Sequence, residues 1–397
     1  MIREAPLVYL VAGEPSGDLL GARLMAALTE RSGGRVRFAG IGGENMAERG
    51  LTSLVPIEEL AVMGLVEVLP RLPNILRRLA QTIEDIEKRR PDVVVTIDSW
   101  GFTGQIAKRL KARGSTVPRL HYVAPMVWAW KAGRAKKLAK RLDLLMTLLP
   151  NEPPYFEAHG LRTVHVGHPV IESGAERGDG AAFRARHDID AGAPLLVVLP
   201  GSRRGETSRL LPVFAQTVGL LASRFPGLRV VVPTVETVAT EVTSAVADWP
   251  APTLVVRGRV EKYDAFAAAD AALAASGTVA LELALAALPN VVGYRVAPAT
   301  AMIIRRLLKI KRVNLVNILL DRHAVPEFLQ DDCRPDRLAE ALATLLDDPA
   351  ARAAQRADLA EAMRRLGVGG ESPSRRAADI VLATIAKGPS SCDSCTP

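Results

Sequence analysis

The sequence predicts an α/β protein of two doubly wound domains, each built on a parallel sheet, that face each other across a cleft. Short apolar runs, many of them β-branched, alternate with longer segments of helical periodicity. These runs lack the alternation of a strand with one wet face, so they suit strands covered by helices on both sides. The clearest runs are Leu7–Val11, Asp92–Ile97, Leu195–Leu199, Arg229–Val232 and Leu254–Val256.

The length and the order of the strand runs predict two main domains. A chain of 397 residues is longer than one core usually supports, and the series of strands restarts after Gly167-His168-Pro169. The terminal helices are expected to pack on the first domain of the same chain or of a partner chain. The expected divisions are a first domain over 1–167, a second over 168–345, terminal helices over 346–388 and a flexible tail over 389–397.

Charge narrows the class of partner. A formal net charge of +8 points to an anionic partner, and nucleic acid, phospholipid headgroups and a phosphorylated substrate all qualify. The basic run from Lys131 to Arg141 has no zinc-finger, RNP or helix-turn-helix pattern beside it, so nucleic acid is not expected. No apolar stretch reaches the length of a spanning helix, and the N-terminal run is too short for a signal peptide. We expect a soluble or peripheral protein.

The cysteines predict neither a disulfide framework nor a metal site. Three cysteines are an odd, sparse set that suits a reducing compartment. Cys392 and Cys395 have the spacing of a redox or zinc pair, yet no His or Cys partners complete a tetrahedral site. We therefore expect an inert tail there and no metal.

Two motifs in the first half carry candidate chemistry. Gly13-Glu14-Pro15-Ser16-Gly17-Asp18 follows the first strand, where a glycine-containing turn that opens a helix can offer backbone amides to phosphate. An ordinary turn capped by Ser16 or Asp18 explains the same residues. Asp98 ends another strand, at the edge where ligands bind in this architecture, so it is a candidate general base. It is also a candidate N-cap for the helix that follows.

Two motifs in the second half suit an anionic ligand. Pro200–Glu206 follows a buried strand and offers a hydroxyl, amides and the guanidinium of Arg203, which can clamp a pyrophosphate. Ser276-Gly277-Thr278 opens a helix, and Glu282 lies one turn further on, where a carboxylate could accept both hydroxyls of a ribose. The alternatives are a solvated basic turn for the first motif and a surface Glu for the second.

Two segments combine apolar and basic residues as interfacial helices do. The second, Met302–Arg312, interleaves Ile and Leu with Arg and Lys. The first contains Pro70 and Pro73, which predict an irregular, exposed, loop-like patch; core packing is the competing explanation. The candidate membrane or acyl-chain residues of the first segment are Val62, Met63, Leu65, Val66, Val68, Leu69, Leu72 and Leu76.

In this order, the motifs make the chain resemble the lipid-A-disaccharide synthases, GT-B glycosyltransferases of family 19. The matching segments span roughly residues 7–340. The resemblance implies an inverting, metal-independent transfer of 2,3-diacylglucosamine from UDP to the 6-hydroxyl of 2,3-diacylglucosamine 1-phosphate, in lipid A synthesis of Gram-negative bacteria. The matching segments are Ala12–Asp18, Phe38–Gly43, Asp98–Phe102, Ala124–Trp130, Leu199–Arg203, Ser276–Thr278, Asn317 and Glu327–Gln330.

The resemblance also implies roles for individual residues. It makes Asp98 the catalytic base and expects no cofactor beyond the UDP-sugar donor. The chain departs from the family at Ala124, where Ser is common, and around Asn317–His323, so the role of the 314–323 loop stays open. The implied substrate or UDP ligands are Ser16, Gly17, Asp18, Arg203, Ser276, Gly277, Thr278, Glu282, Asn317 and Gln330.

Partners and alternatives follow from the same resemblance. The expected partners are acylated sugars and an anionic membrane surface on the cytoplasmic face of the inner membrane, with a homodimer that exchanges C-terminal segments. One alternative is a UDP-sugar 2-epimerase of the same architecture, which needs no lipid-facing patch. Another is a non-catalytic membrane-surface protein that binds nucleotide sugar without turnover.

Overall fold

The computed structural model describes residues 5–60, 65–125, 133–297 and 312–388, with side chains described from Leu72 onward in the helix that begins at Leu65. The chain forms two compact units. The first takes in the described residues up to Pro169 together with those from Gly370 onward, and the second is Val170–Gly369. Both units are α/β, which confirms the predicted fold class.

Strands and helices alternate through the first unit. Among its described residues, the strands are β1 (Leu7–Ala12), β2 (Arg37–Ile41), β3 (Val93–Ile97), β4 (Arg119–Tyr122), β5 (Leu144–Thr147) and β6 (Thr163–His165). The α-helices are α1 (Pro15–Arg31), α2 (Glu44–Ala47), α3 (Leu65–Arg89), α4 (Trp100–Ala112), α5 (Gly133–Ala139) and α6 (Pro153–Glu157). Short 3-10 helices cover Ile57–Glu59 and, at the boundary between the units, Pro169–Glu172.

The second unit repeats the alternation and ends in helices. Its described strands are β7 (Leu195–Leu199), β8 (Arg229–Thr234), β9 (Thr253–Arg257), β10 (Ala271–Ala274), β11 (Asn290–Tyr294) and β12 (Glu327–Leu329). Its α-helices are α7 (Gly180–Arg186), α8 (Arg204–Arg224), α9 (Ala239–Val246), α10 (Arg259–Ala268), α11 (Val279–Leu285), α12 (Leu315–Leu320), α13 (Pro335–Asp347) and α14 (Pro349–Leu366). Further 3-10 helices cover Ala175–Arg177, Glu236–Val238 and Gln330–Asp332. The last helix, α15 (Pro373–Lys387), belongs to the first unit.

Each unit contains one six-stranded parallel sheet. The strand order is β2-β1-β3-β4-β5-β6 in the first and β12-β11-β10-β7-β8-β9 in the second. In both sheets the first strand lies in the interior, and the chain winds outward from it in two directions. Two neighbouring strands therefore send their following loops to opposite faces, β1 with β3 in the first unit and β7 with β10 in the second. At such a switch point, the carboxyl ends of the strands leave a crevice that ligands occupy.

Helices cover both faces of the first sheet, which is why its strands are continuously apolar. Val8 to Ala12 of β1 have no exposed surface. Leu24 of α1 packs on one face with Leu10, whereas Leu79 of α3 packs on the other face with Tyr9. A strand with both faces buried has no position for an exposed polar residue.

The terminal helices do not act as one segment. α14 packs in the second unit, whereas α15 joins the first unit by placing Ala377, Ala378 and Val381 against the core residues of α1. Ion pairs join the same helices, between Arg375 and Glu30 at 2.7 Å and from Arg31 to Asp379 at 3.1 Å. Exposed pairs of this kind add little, so the apolar contact holds α15 in place. The expected flexible tail, 389–397, lies outside the described residues.

The expected irregular loop around Pro70 and Pro73 is wrong, because both prolines lie within α3. Each proline removes one helical hydrogen bond, and the packing of Leu79, Ile83 and Ile86 further along the helix offsets that loss. Of the candidate membrane residues, Leu72 and Leu76 are described, and both are exposed, at 42% and 44%. Val62 and Met63 lie outside the described residues, as do the side chains of Leu65, Val66, Val68 and Leu69. Within the described residues, no helix is long and apolar enough to cross a membrane.

Candidate active site

The loops after β1 and β3 meet at the switch point of the first sheet. Gly13 follows β1 and Ser99 follows β3, and a Cβ placed on Gly13 would lie 2.7 Å from the Cβ of Ser99. The hydroxyl of Ser99 donates a hydrogen bond to the carboxylate of Glu14, with Oγ and Oε1 2.9 Å apart. The glycine therefore permits a close approach that the serine then secures.

Asp98 occupies the turn between β3 and α4 in an unusual backbone conformation. Its φ is +52°, and that of Ser99 is +44°, in the left-handed region that residues other than glycine seldom adopt. The amide of Asp98 donates to the carbonyl of Tyr122 at 2.9 Å, and the hydroxyl of Thr103 donates to the carbonyl of Asp98 at 2.8 Å. These bonds hold a conformation that is costly alone, a pattern typical of functional turns.

The structure argues against the helix-cap hypothesis for Asp98. The N-cap of α4 is Ser99, and the Asp98 carboxylate accepts from the Ser99 amide at 2.7 Å instead of from the first turn of the helix. Burial raises the pKa of Asp98, and the nearby charge of Glu14 adds to this effect, against the Ser99 amide, which lowers it. A half-buried carboxylate with a raised pKa is a stronger base than an exposed one.

The predicted ligands after β1 divide into different roles. Ser16 is exposed at the start of α1, and Gly17 is buried where an added Cβ would lie 3.3 Å from the carbonyl oxygen of Ile97. The carboxylate of Asp18 is buried and accepts hydrogen bonds from the amides of Gly43, Asn45 and Met46 and from the Asn45 side chain, at 2.7 to 3.1 Å. Asp18 therefore holds the start of α2, a structural role in place of the ligand contact predicted for it.

The switch point of the second sheet contains an open cavity of about 340 Å³, within the range of small-molecule sites. The residues after β7 form one wall and those after β10 form another. The cavity unites five predicted ligands from two segments that lie more than 70 positions apart in the sequence. They are Arg203, Ser276, Gly277, Thr278 and Glu282.

The loop after β7 presents Arg203 to this cavity. The Arg203 side chain is 65% exposed, and its Nη1 lies 3.3 Å from Oε1 of Glu206, a residue of the first turn of α8. The other oxygen of Glu206 accepts from the amide of Ser202 at 3.2 Å. Gly201 has a φ of +114°, and a Cβ there would lie 2.7 Å from the Cβ of Glu206. The loop thus wraps around Glu206, and the guanidinium of Arg203, although paired with Glu206, stays largely exposed where it can approach an anion.

Glu282 faces the same cavity from α11 and is held by two residues of α10. Nζ of Lys262 lies 2.9 Å from each carboxylate oxygen, and the Tyr263 hydroxyl donates to Oε1 at 3.0 Å. Burial raises the pKa of Tyr263, and the charge of Glu282 raises it further. Sequence reasoning missed Lys262, Tyr263 and the supporting role of Glu206. Lys262 lies 20 positions before Glu282 on another helix, so no local pattern links them.

Asn317 and Gln330 are not among the residues that line the cavity. The side-chain oxygen of Asn317 accepts from the amides of Ala324 and Val325, both at 2.8 Å, and its amide donates to the Val325 carbonyl at 2.8 Å. It therefore stabilises the chain after α12, the short helix within the predicted 314–323 loop. Gln330 directly follows β12, a strand that lies two places from β10 in the sheet, or about 10 Å at the usual strand spacing.

Other predicted features are only partly described. Within the described residues, no group of His, Cys, Asp and Glu side chains is arranged to hold a metal ion. Cys333 is buried with a free thiol. Cys392 and Cys395, the tryptophans at 128 and 130, and residues 302–311 of the second apolar and basic segment lie outside the described residues.

Comparison with known proteins identifies relatives that match nearly the whole chain. A family profile described as lipid-A-disaccharide synthetase matches residues 8–381. A lipid-A-disaccharide synthase of Paramagnetospirillum magneticum is 66% identical, covering 96% of this chain and 98% of its own length. One of Rhodospirillum centenum is 57% identical, covering 96% and 95%.

Solved structures agree on the fold at much lower identity. MurG of Acinetobacter baumannii has a TM-score of 0.59 at 15% identity, covering 95% of this chain and 99% of its own. A putative UDP-N-acetylglucosamine 2-epimerase of Listeria monocytogenes has a TM-score of 0.63 at 12% identity, covering 97% and 96%. A transferase and an epimerase thus share this GT-B fold, which alone does not separate the two activities. The two activities are separated by the profile match over residues 8–381 and by the 66% identity to the Paramagnetospirillum magneticum protein. The chain belongs to the lipid-A-disaccharide synthase family.

Proposed function

We propose that the protein transfers 2,3-diacylglucosamine from UDP to the 6-hydroxyl of 2,3-diacylglucosamine 1-phosphate, forming the β-1,6 disaccharide 1-phosphate of lipid A and releasing UDP. Membership of the family supports this reaction. The observation that carries the assignment is that two family motifs lie at two switch points. Asp98 lies at one, and Arg203 with Ser276–Thr278 lines the cavity at the other.

Asp98 has the properties that the acceptor requires. A sugar hydroxyl attacks an anomeric carbon poorly until a positioned base takes its proton. A carboxylate whose pKa is raised by burial binds that proton more strongly than an ordinary aspartate does. Attack on the face opposite the UDP group inverts the configuration, forming one C–O bond as the other breaks. The proton passes from the acceptor hydroxyl to Asp98, and the bonding pair leaves with UDP.

The cavity of the second unit suits the leaving group. The developing charge falls on the diphosphate, and Arg203 is the exposed guanidinium on the cavity wall. The amides at the start of a helix, as after Ser276–Thr278, add partial positive charge. We propose that these groups stabilise departing UDP without a divalent ion, so activity should survive EDTA.

We further propose that the protein works on the cytoplasmic face of the inner membrane. The acyl chains of the two proposed substrates require an apolar entrance. Leu72 and Leu76 lie one helical turn apart with their side chains exposed, and they could form part of it. The net charge of +8 favours contact with anionic lipid. We also propose a homodimer in which α15 exchanges between chains, since α15 reaches α1 through a contact that a second copy can supply equally.

One incubation tests the reaction against its alternatives. The purified protein is given the UDP-activated diacylglucosamine and the diacylated 1-phosphate acceptor, with and without EDTA, and products are resolved by mass spectrometry. We expect disaccharide 1-phosphate and UDP in equal amounts. A 2-epimer of the UDP-sugar formed without acceptor would instead identify an epimerase. Binding of UDP-sugar without any product would identify a non-catalytic binder.

A further inference from the structure

Glu282 is the centre of a small polar cluster in the wall of the cavity. Lys262 and Tyr263 are adjacent in α10, and Glu282 lies in the first turn of α11. The ammonium of Lys262 also lies 4.9 Å from the centre of the Tyr263 ring, a cation–π distance. The Lys262 and Glu282 side chains are 27% and 18% exposed, so their pairing is shielded but reaches the cavity.

The cluster limits what Glu282 can still accept. An ionised carboxylate has about four acceptor positions, two on each oxygen. Counting partners among the described residues, Oε1 accepts from Lys262 and from Tyr263, and Oε2 accepts from Lys262. One position therefore remains, on Oε2. A ribose offers two neighbouring hydroxyls, and this arrangement has room for a hydrogen bond from one of them.

We propose that Lys262 is a positioning residue for Glu282 and makes the site read a single ribose hydroxyl of the nucleotide instead of both. This inference rests on the proposed function, because it takes the ligand to be the UDP portion of the donor. Lys262 fixes the carboxylate by contacting both oxygens, and Tyr263 closes the remaining position on Oε1. The one free lone pair then selects between the 2′ and 3′ positions.

The charge of Lys262 has a second effect on the same site. The cavity that holds Glu282 also holds Arg203, the predicted contact of the diphosphate. A carboxylate without a counter-charge would repel that diphosphate in a partly desolvated site. Because Lys262 neutralises Glu282, the carboxylate can contact the ribose without repelling the doubly charged diphosphate beside it. Loss of Lys262 should therefore weaken UDP more than uridine.

Binding by the unmodified protein tests the acceptor count directly. Calorimetry would compare UDP with 2′-deoxy-UDP and 3′-deoxy-UDP. We expect one deoxy form to bind as UDP does and the other to bind on the order of tenfold or more weakly, the size of a lost hydrogen bond to a charged group. Equal weakening of both forms would overturn the proposal, because Glu282 would then accept both hydroxyls. Equal binding of all three would overturn it as well.

Variants test the positioning role. Lys262→Met should weaken UDP about tenfold and remove the difference between the two deoxy forms, whereas Lys262→Arg should keep that difference. A Lys262→Met protein that retains the wild-type difference would contradict the role. Uridine provides the further readout, since a purely structural defect would weaken uridine and UDP alike. Failure of the proposed function is recognised separately, as wild-type protein that forms no disaccharide or as unchanged UDP affinity in Arg203→Ala.

Discussion

The Ser99 hydroxyl donates a hydrogen bond to the Glu14 carboxylate, with 2.9 Å between Oγ and Oε1, and so links residues 85 positions apart. The bond joins the loop after β1 to the loop after β3, beside the place where Gly13 leaves no room for a side chain. Asp98 immediately precedes Ser99. The position of the candidate base therefore depends on a contact between two loops as well as on its own strand.

Replacing Gly13 tests this dependence. In Gly13→Ala, the new methyl would lie 2.7 Å from the Cβ of Ser99, so the loops must separate and carry Asp98 with them. A displacement near 1 Å at a reacting group lowers turnover on the order of 10²-fold. UDP affinity in the second unit should not change. Gly101→Ala is the matched control, because no atom lies within 4 Å of its added Cβ. Turnover by Gly13→Ala equal to that of Gly101→Ala would contradict the argument.

Asp98→Asn tests the base itself. Asparagine keeps the size of the side chain but cannot take a proton, so disaccharide formation should fall by about 10²- to 10⁴-fold. Calorimetry should find UDP affinity unchanged, since the cavity lined by Arg203 belongs to the second unit. A folded variant with near-normal turnover would remove Asp98 from the mechanism.

Asp98→Asn should lower turnover but raise the stability of the fold. Burial raises the pKa of Asp98 in the folded protein, so the ionised carboxylate weakens the fold at every pH above that raised value. Asp98→Asn should therefore unfold at a higher urea concentration than wild type at pH 7.5. The difference should shrink as the pH falls and vanish below the ordinary pKa of aspartate, where the group is neutral in both states. A variant less stable at pH 7.5 would show that Asp98 supports the turn.

The sequence alone predicts the candidate site residues that follow directly from strand order. Asp98, Arg203 and Ser276 each come just after a buried strand, and carboxyl ends of parallel strands share one edge of a sheet. That rule needs no knowledge of side-chain contacts. It also predicts the restart of the fold after residue 167, because a second series of strands needs a second sheet.

What the sequence left open depends on contacts between distant elements. The family resemblance implies Asp18 as a ligand, and only the amides of Gly43 and Met46 reveal that its carboxylate already accepts hydrogen bonds at the start of α2. The same holds for Asn317, which bonds the chain after α12. Lys262 has no motif at all, since it gains its role through a carboxylate on another helix.

Arg203→Ala should weaken UDP binding and slow turnover together. Removing a charge-assisted hydrogen bond to phosphate costs about 1.5–3 kcal/mol, or roughly 10- to 100-fold in affinity. Arg204→Ala is the control, because Arg204 is adjacent and also exposed but does not line the cavity. Calorimetry with UDP and uridine separates the phosphate contribution from the rest. Equal losses in both variants would indicate a general effect of charge.

The exposed leucines of α3 allow a direct test of membrane contact. Leu72 and Leu76 are exposed at 42% and 44%, so Leu72→Ser/Leu76→Ser should leave the melting temperature unchanged. Burying the exposed part of each leucine in the membrane is worth about 1 kcal/mol. The double substitution should therefore lower binding to anionic vesicles on the order of tenfold. Leu220→Ser, at a residue 49% exposed in the second unit, should leave vesicle binding unchanged. Leu79→Ser should lower the melting temperature instead, because Leu79 is buried under the same helix. Undiminished sedimentation of the double variant with vesicles would assign membrane contact to another surface.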